Sequence, residues 1–224
     1  MDAEHDLRER ALAIHLRLLD YYGQPEWRTP LPAIAELVST ILSQNTNDRN
    51  RDAAFNALTA RFPTWEEVRD APVEEVIAAI RPAGLANQKG PRIQAVLRSI
   101  TAERGSLDLE FLRALPAQEA RAWLMRFDGV GPKTASIVLQ FSLGTPAFPV
   151  DTHIYRVSGR LGLRPLKMNA AQAHVFLATL FPPDAYSAAH LNLIRLGREI
   201  CTARRAFCER CPLLDLCPKV GVKK

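Results

Sequence analysis

Apolar positions recur along this chain at intervals of three and four, and essentially nowhere at intervals of two. That is the period of helices with one buried face, not of half-buried strands. Leu7, Ala11, Ile14 and Leu18 share one face of a first helix. Pro30 and Pro32 end the linker after it. Ala33 to Leu42 reads as a second apolar helix, stopped by the polar run Ser43-Gln44-Asn45-Thr46-Asn47-Asp48. Thr46 or Asn47 can cap a third helix that runs to about Arg61. Thr64 with Glu67 predicts a capping box for a short helix. Pro72 opens another, with Val73, Val76, Ile77 and Ile80 on its inner face, and Gly84 breaks that pattern. A helix from about Gln88 to Glu103 carries Ile93, Val96, Leu97 and Ile100 at helical spacing. Two more, over about 116–127 and 133–143, flank a glycine turn. Gly144 to Pro149 reads as extended, and three helices follow near 153–161, 169–180 and 185–200. The fold class predicted is all-α.

Composition narrows the picture only slightly. A chain of 224 residues, 47% apolar, is one large domain or two small ones with an ordinary core. Its apolar stretches are too short and interrupted to span a bilayer. The opening Met1-Asp2-Ala3-Glu4-His5-Asp6 lacks the basic and apolar regions of a secretory signal. These readings predict a soluble cytoplasmic protein with no membrane partner. Charge is more informative by position. Residues 195–224 hold eight basic groups, Arg195, Arg198, Arg204, Arg205, Arg210, Lys219, Lys223 and Lys224, against three acids, so this tail carries the whole net charge of +5. A basic patch at one end suggests a polyanion, nucleic acid first, although a solvated basic tail has the same composition.

The same tail holds every cysteine in the chain: Cys201, Cys208, Cys211 and Cys217, spaced C-x6-C-x2-C-x5-C. Four thiolates that close can share one tetrahedral centre, and a cysteine-only set suits zinc or an iron–sulfur cluster. Two disulfides, or buried apolar thiols, are the alternatives. Zinc sites usually come as two separated C-x2-C knuckles, whereas here a single C-x2-C pair has a wider arm on each side.

Phe127-Asp128-Gly129-Val130-Gly131-Pro132-Lys133-Thr134-Ala135 is the second concentrated signal. Gly129 and Gly131 permit positive φ and close backbone approach, and Val130 between them can plug into the flanking helices. The turn feeds a helix N-terminus, whose amides and positive dipole end attract phosphate. Lys133 sits just inside that helix, where a charged amine is disfavoured. The same field favours a neutral amine, which could attack C1′ of a flipped nucleotide. A phosphate contact is the simpler use of the same lysine. Asp151 follows in Pro149-Val150-Asp151-Thr152-His153. It reads locally as a helix N-cap, and a carboxylate there could also stabilise an oxocarbenium-like sugar or assist proton transfer.

In that order, the G-V-G-x-K hairpin, the V-D-T-H segment 18 residues beyond its lysine and the cysteine spacing resemble the endonuclease III family of helix–hairpin–helix DNA glycosylases, over nearly the whole chain. The resemblance implies two α-helical lobes with DNA in the cleft between them. One is a six-helix barrel, about 27–144; the other joins 1–26 to 145–224 and holds a 4Fe–4S cluster on Cys201, Cys208, Cys211 and Cys217. It implies a monomeric, nucleoid-associated (if bacterial) base excision repair enzyme that acts on duplex DNA with damaged bases or abasic sites. Such an enzyme excises oxidised pyrimidines through a lysine Schiff base and nicks the strand by β-elimination. Lys133 is then the nucleophile and Asp151 the catalytic carboxylate. Gly129, Val130 and Gly131 grip phosphate, Arg204 and Arg205 present cations to DNA, Gln44 or Asn45 fills the gap left by the flipped base, and Leu85 is an apolar wedge. Adenine-excising relatives lack a lysine at this position and append a further domain, for which the chain leaves no room after its cysteine loop.

Several positions depart from the family. Its wedge region reads S-A-Q-A-T-D where this chain has Ser43 to Asp48, and the shorter Asn45 stands where the family has glutamine. Ala86 replaces a common tyrosine, Asp128 a proline and Pro132 a basic residue; Asp128 places a negative charge beside a phosphate site. These changes leave room for a monofunctional glycosylase of mismatched or deaminated bases. A catalytically silent DNA-binding or redox-sensing protein is the reading from another class. His153 beside Asp151 could line the cavity. The other histidines, and Trp27, Trp65 and Trp123, read as packing or surface residues.

Overall fold

The computed structural model describes residues 3–26 and 29–222, so Trp27, Lys223 and Lys224 lie outside it. Helices follow one another along the chain: α1 Ala3–Tyr22, α2 Ala33–Leu42, α3 Asp48–Arg61, α4 Trp65–Asp70, α5 Val73–Ala79, α6 Ala86–Arg104, α7 Ala117–Leu124, α8 Pro132–Ile137, α9 Thr152–Arg160, α10 Ala170–Leu180 and α11 Tyr186–Glu199. Among the described residues the one β-type pairing is an isolated antiparallel bridge between Cys201 and Ala206, so the all-α expectation holds. None of these helices is long and apolar enough to cross a membrane. Internal contacts divide the chain into two units, Pro30–Thr145 and Met1–Thr29 with Pro146–Lys224.

In the Pro30–Thr145 unit, α2 is the spine. All ten of its residues are buried, the polar Glu36, Ser39 and Thr40 along with seven apolar ones, and the Thr40 hydroxyl donates to Glu36 Oε1 at 3.3 Å. α3, α6 and α8 pack round it. Leu37, Ile41 and Leu42 have no exposed surface, and each contributes roughly 1.5–3 kcal/mol by that burial. α6 turns its stripe of Ile93, Val96, Leu97 and Ile100 inward. On the same helix the buried Gln94 amide donates to Val68 O at 2.9 Å and Ala71 O at 2.8 Å, satisfying carbonyls at the end of α4. Trp123 packs edge-on against Phe111 and Phe127, with its indole N–H on Glu103 at 2.7 Å. Trp65 faces Phe55.

Helix ends refine the expectations. Asn47, not Thr46, caps α3, accepting from Asn50 N at 2.9 Å. At α4 only half a capping box forms. Thr64 Oγ1 accepts from Glu67 N at 3.2 Å, but the Glu67 carboxylate takes the Thr64 hydroxyl at 3.1 Å, not a backbone N–H. A complete box occurs at Asn169 and Gln172, opening α10, where it was not read. The helix expected over 133–143 is α-helical only over Pro132–Ile137. It continues as a π-helical turn over Val138–Ser142 that ends with Leu143 N on Val138 O at 3.2 Å.

In the unit formed by the two ends of the chain, α1, α9, α10 and α11 enclose a core that includes Ile14, Leu18, Val157, Leu177, Leu193 and Leu196. Phe148 lies flat on Phe181, with centroids 5.1 Å apart and planes within 12°, and meets Tyr186 edge-on. α9 and α11 approach closely because of Gly197, where a Cβ would stand 2.9 Å from His153 Cβ. Arg10 of α1 donates to Leu161 O at 2.6 Å and Leu216 O at 2.8 Å, and Arg17 to Pro212 O at 3.0 Å. The first helix is thereby fastened to the cysteine loop.

Candidate functional site

The glycine turn joins α7 to α8 as an ordered hairpin. Val130 is 4% exposed and donates its N–H to Phe127 O at 3.0 Å. Gly131 is the N-cap of α8 and has no side chain to occupy the first helical amides. Pro132 opens the helix at its first position, where an N–H would have no intrahelical partner and the fixed φ suits the helix. Lys133 is the second residue of α8, half-buried, with no acid in that first turn. Gly129 has φ +78°, and a Cβ there would lie 2.0 Å from Arg92 Cδ and 2.3 Å from Arg92 Nε. The turn therefore rests directly on the Arg92 side chain of α6, and a glycine is required on both counts. Asp128, whose side chain is 93% exposed, stands 3.7 Å from Arg92 Nε.

Two loops of the same unit carry the candidate inserting residues. Gln44 Nε2 donates to Gly129 O at 2.9 Å, tethering the polar run after α2 to the hairpin. Its neighbour Asn45 is exposed and left-handed, φ +53°, a conformation that asparagine tolerates better than most residues. The amide of Gln44 is thus committed to the turn, while that of Asn45 faces outward. Leu85 is 47% exposed and also left-handed, φ +52°, directly after Gly84 at φ +67°. Holding a leucine there costs about 1–2 kcal/mol.

One residue beneath these loops was not anticipated. Lys89, 1% exposed, donates from Nζ to Leu42 O at 2.8 Å and to Ala83 O at 2.9 Å. Leu42 ends α2 just before Ser43–Asp48, and Ala83 precedes Gly84–Leu85, so a single amine ties the roots of both loops. Burial pushes its pKa below the ordinary lysine value. The available signal was periodicity: Lys89 falls four residues before Ile93, in line with the apolar stripe of α6.

In the other unit, Asp151 is the N-cap of α9, and its Oδ1 accepts from Ile154 N at 2.7 Å. The extended residues before it are braced by two buried histidines that were read as packing or surface groups. His174 Nδ1 accepts from Val150 N at 3.1 Å, and His190 Nδ1 lies 2.9 Å from Pro149 O. They are 4% and 1% exposed. His153 Nδ1 lies 3.2 Å from an Arg156 amino group.

The four cysteines form no disulfide, and all line one cavity floored by Val157, Leu161, Leu196, Ile200 and Phe207. The loop is fastened by arginines of α9. Arg156 donates to Cys201 O at 3.1 Å and Gly197 O at 2.8 Å, and Arg160 to Thr202 O at 2.7 Å. Donors point at sulfur: Arg160 Nη1 at Cys201 Sγ, 3.3 Å, Lys219 N at Cys217 Sγ, 3.4 Å, and the Leu213 backbone at Cys211. Such bonds stabilise metal-bound thiolates. As free thiols, Cys211 and Cys217 are pushed up by burial, so metal binding there must displace protons. Among the described residues, the group of three or more ligand atoms within 4.8 Å of one another is the exposed His5, Asp6 and Glu9, so no three cysteine sulfurs come that close. A single zinc would draw its four sulfurs to about 3.8 Å apart. Arg204 and Arg205 are exposed beside this loop, and Arg205 and Arg210 stack on Phe207, 4.8 and 4.6 Å from its centroid.

Comparison with known proteins agrees with this construction. The family model for the HhH-GPD superfamily base excision DNA repair proteins matches residues 38–183. A candidate DNA glycosylase of Arabidopsis thaliana is 41% identical over 188 residues, and the match spans 83% of this chain and 64% of that one. Endonuclease III of Sulfolobus acidocaldarius is 34% identical over 185 residues, 82% of this chain and 80% of its own. A solved structure of a trapped endonuclease III–DNA covalent intermediate, an estranged-adenine complex, superposes with a TM-score of 0.80 at 26% identity, covering 98% of this chain and 97% of that one. The chain belongs to the HhH-GPD superfamily of base excision DNA repair glycosylases, with endonuclease III among its homologues.

Proposed function

We propose that this protein is a bifunctional glycosylase and abasic-site lyase that removes oxidised pyrimidines from duplex DNA. The observation that carries the reading is Lys133: a half-buried amine one residue inside α8, immediately after the Gly129–Gly131 turn. Unprotonated, Lys133 Nζ attacks C1′ of the everted nucleotide as the glycosidic bond breaks and the base leaves with a proton. The sugar C1′–O4′ bond then opens to a Schiff base. Loss of a C2′ proton expels the 3′ phosphate, and water returns the amine. Asp151 is the carboxylate for this chemistry. Its N-cap bond from Ile154 fixes one oxygen and, with the histidine braces, its orientation. Asn45 is the amide for the vacated base stack, and Leu85 the apolar wedge on the other loop.

The test uses the reaction itself. Borohydride, added with a duplex containing thymine glycol or an abasic site, should reduce the imine and leave protein covalently joined to DNA. No trapped product with either substrate would sink the lyase. The outward, shortened amide of Asn45 favours a second reading, a monofunctional glycosylase of mismatched or deaminated bases. That enzyme would release base while leaving the strand uncut.

Cys201, Cys208, Cys211 and Cys217 would hold a 4Fe–4S cluster, which when bound cross-links the loop that presents Arg204 and Arg205. The cysteine-only ligand set, the apolar floor and the N–H donors aimed at sulfur suit such a cluster, and no three of the sulfurs lie within 4.8 Å of one another. Purified protein should be brown, with broad absorption near ~400 nm and four irons per chain; Cys211→Ala should lose both. Colourless protein with one zinc would replace the cluster and leave the glycosylase assignment standing.

A further inference from the structure

The hairpin of this chain carries a feature that its spacing does not require. Asp128, at its crown, would meet a bound phosphate with its own charge, and its side chain is 93% exposed. Beneath the turn, Arg92 runs from α6 into the space that the absent Gly129 side chain leaves, its Cδ 2.0 Å and its Nε 2.3 Å from the ideal Cβ position. Arg92 Nε is buried and makes no hydrogen bond. The counter-charge it has is Asp128 Oδ2, at 3.7 Å, beyond hydrogen-bond reach. The Arg92 side chain is 29% exposed although its Nε is buried.

A guanidinium whose stem is clamped by a glycine turn loses little freedom when it binds an anion, and its fork matches phosphate oxygens. An exposed, loose pair with a carboxylate holds it weakly. We propose that Arg92 is a backbone-phosphate contact of this protein, delivered through the hairpin from α6, and that Asp128 is its counter-charge only while DNA is absent. On binding, the phosphate replaces the carboxylate, and Asp128 turns to solvent. Asp128 then sets affinity by competing for Arg92, so the protein holds undamaged duplex less tightly than its hairpin would otherwise allow. This rests on the DNA-binding reading above, but not on its lyase chemistry.

The test is equilibrium binding of the full chain to an undamaged 20-base-pair duplex across a salt series. Arg92→Met keeps the stem that packs on Gly129 and removes the charge. It should weaken binding about five- to tenfold near 0.1 M salt and lower the slope of log K against log salt by about 0.9, the value for one phosphate. Arg92→Lys should keep the slope. Asp128→Asn, at an exposed position that does not bear on folding, should tighten binding several-fold in the wild-type chain and much less in the Arg92→Met background. An unchanged slope in Arg92→Met, no gain from Asp128→Asn, or an equal gain in both backgrounds would each overturn the proposal. Absence of salt-dependent duplex binding by the wild type would overturn the DNA reading along with it.

Discussion

Lys133→Gln should abolish strand nicking and borohydride trapping, and should slow single-turnover release of an oxidised pyrimidine by at least about 10³-fold. Glutamine keeps most of the side-chain length and leaves the hairpin's packing alone, because that packing is carried by Val130, Arg92 and Gln44. Duplex affinity should therefore stay within a few-fold of wild type, and the thermal midpoint should move little. The lost factor belongs to the bond that only an amine can form: an amide is not nucleophilic at C1′, so what remains is orientation and electrostatic stabilisation. Denaturing gels of end-labelled duplex, with and without hot alkali, separate base release from cleavage. If alkali-labile product forms as fast with Lys133→Gln as with wild type, and wild type itself cuts no strand, the enzyme is monofunctional and the proposal falls to its rival.

The second large effect concerns stability. Lys89→Met fills the same volume and removes the donors on which Leu42 O and Ala83 O depend. Two carbonyls orphaned in the interior cost about 1–3 kcal/mol each. Relief of the buried charge offsets part of that, so a net loss of roughly 2–4 kcal/mol is expected, lowering the midpoint by roughly 5–15 °C in a chain of this size. The pH dependence has a definite sign. Folding lowers the Lys89 pKa, so between the folded value and the unfolded value near 10.5 the unfolded chain holds more protons. Stability contributed by this group then rises with pH through that window. A neutral amine still offers two N–H donors for two carbonyls, so nothing is lost on deprotonation. The gap between wild type and Lys89→Met should widen as pH rises toward the unfolded value near 10.5; a gap that narrows or stays constant would show that desolvation of this ammonium is not what the fold pays. Because Lys89 roots both candidate inserting loops, the surviving folded fraction should also discriminate less well between damaged and undamaged duplex.

Much of the architecture is legible before any coordinates. The stripe Ile93, Val96, Leu97 and Ile100 is inward on α6, and the largely apolar Ala33–Leu42 is the buried spine, because side-chain transfer from water depends mainly on composition and on a 3.6-residue period. The Asp151 cap follows from a rule spanning four residues. Failures came where one local rule had several solutions. Thr46 and Asn47 were equivalent caps on paper, and the chain used the second. Thr64 and Glu67 satisfied each other side chain to side chain, so the box closed only halfway. His174 and His190 carry no spacing signature, because their partners Val150 and Pro149 lie 24 and 41 residues away.

The hydrophobic period was enough to determine the helical class and the order of the motifs the family, since both rest on short-range pattern and chemistry. The tertiary structure alone decided how neighbours divide their labour. Gln44 is bonded to the hairpin while Asn45 is turned outward, Lys89 is a buried strut and not a surface charge, and Arg92 lies under the one glycine that leaves it room. In each case the deciding partner is a backbone carbonyl or a missing Cβ, which one residue name resembles as much as another. Only the folded path of the chain brings them within a few ångströms.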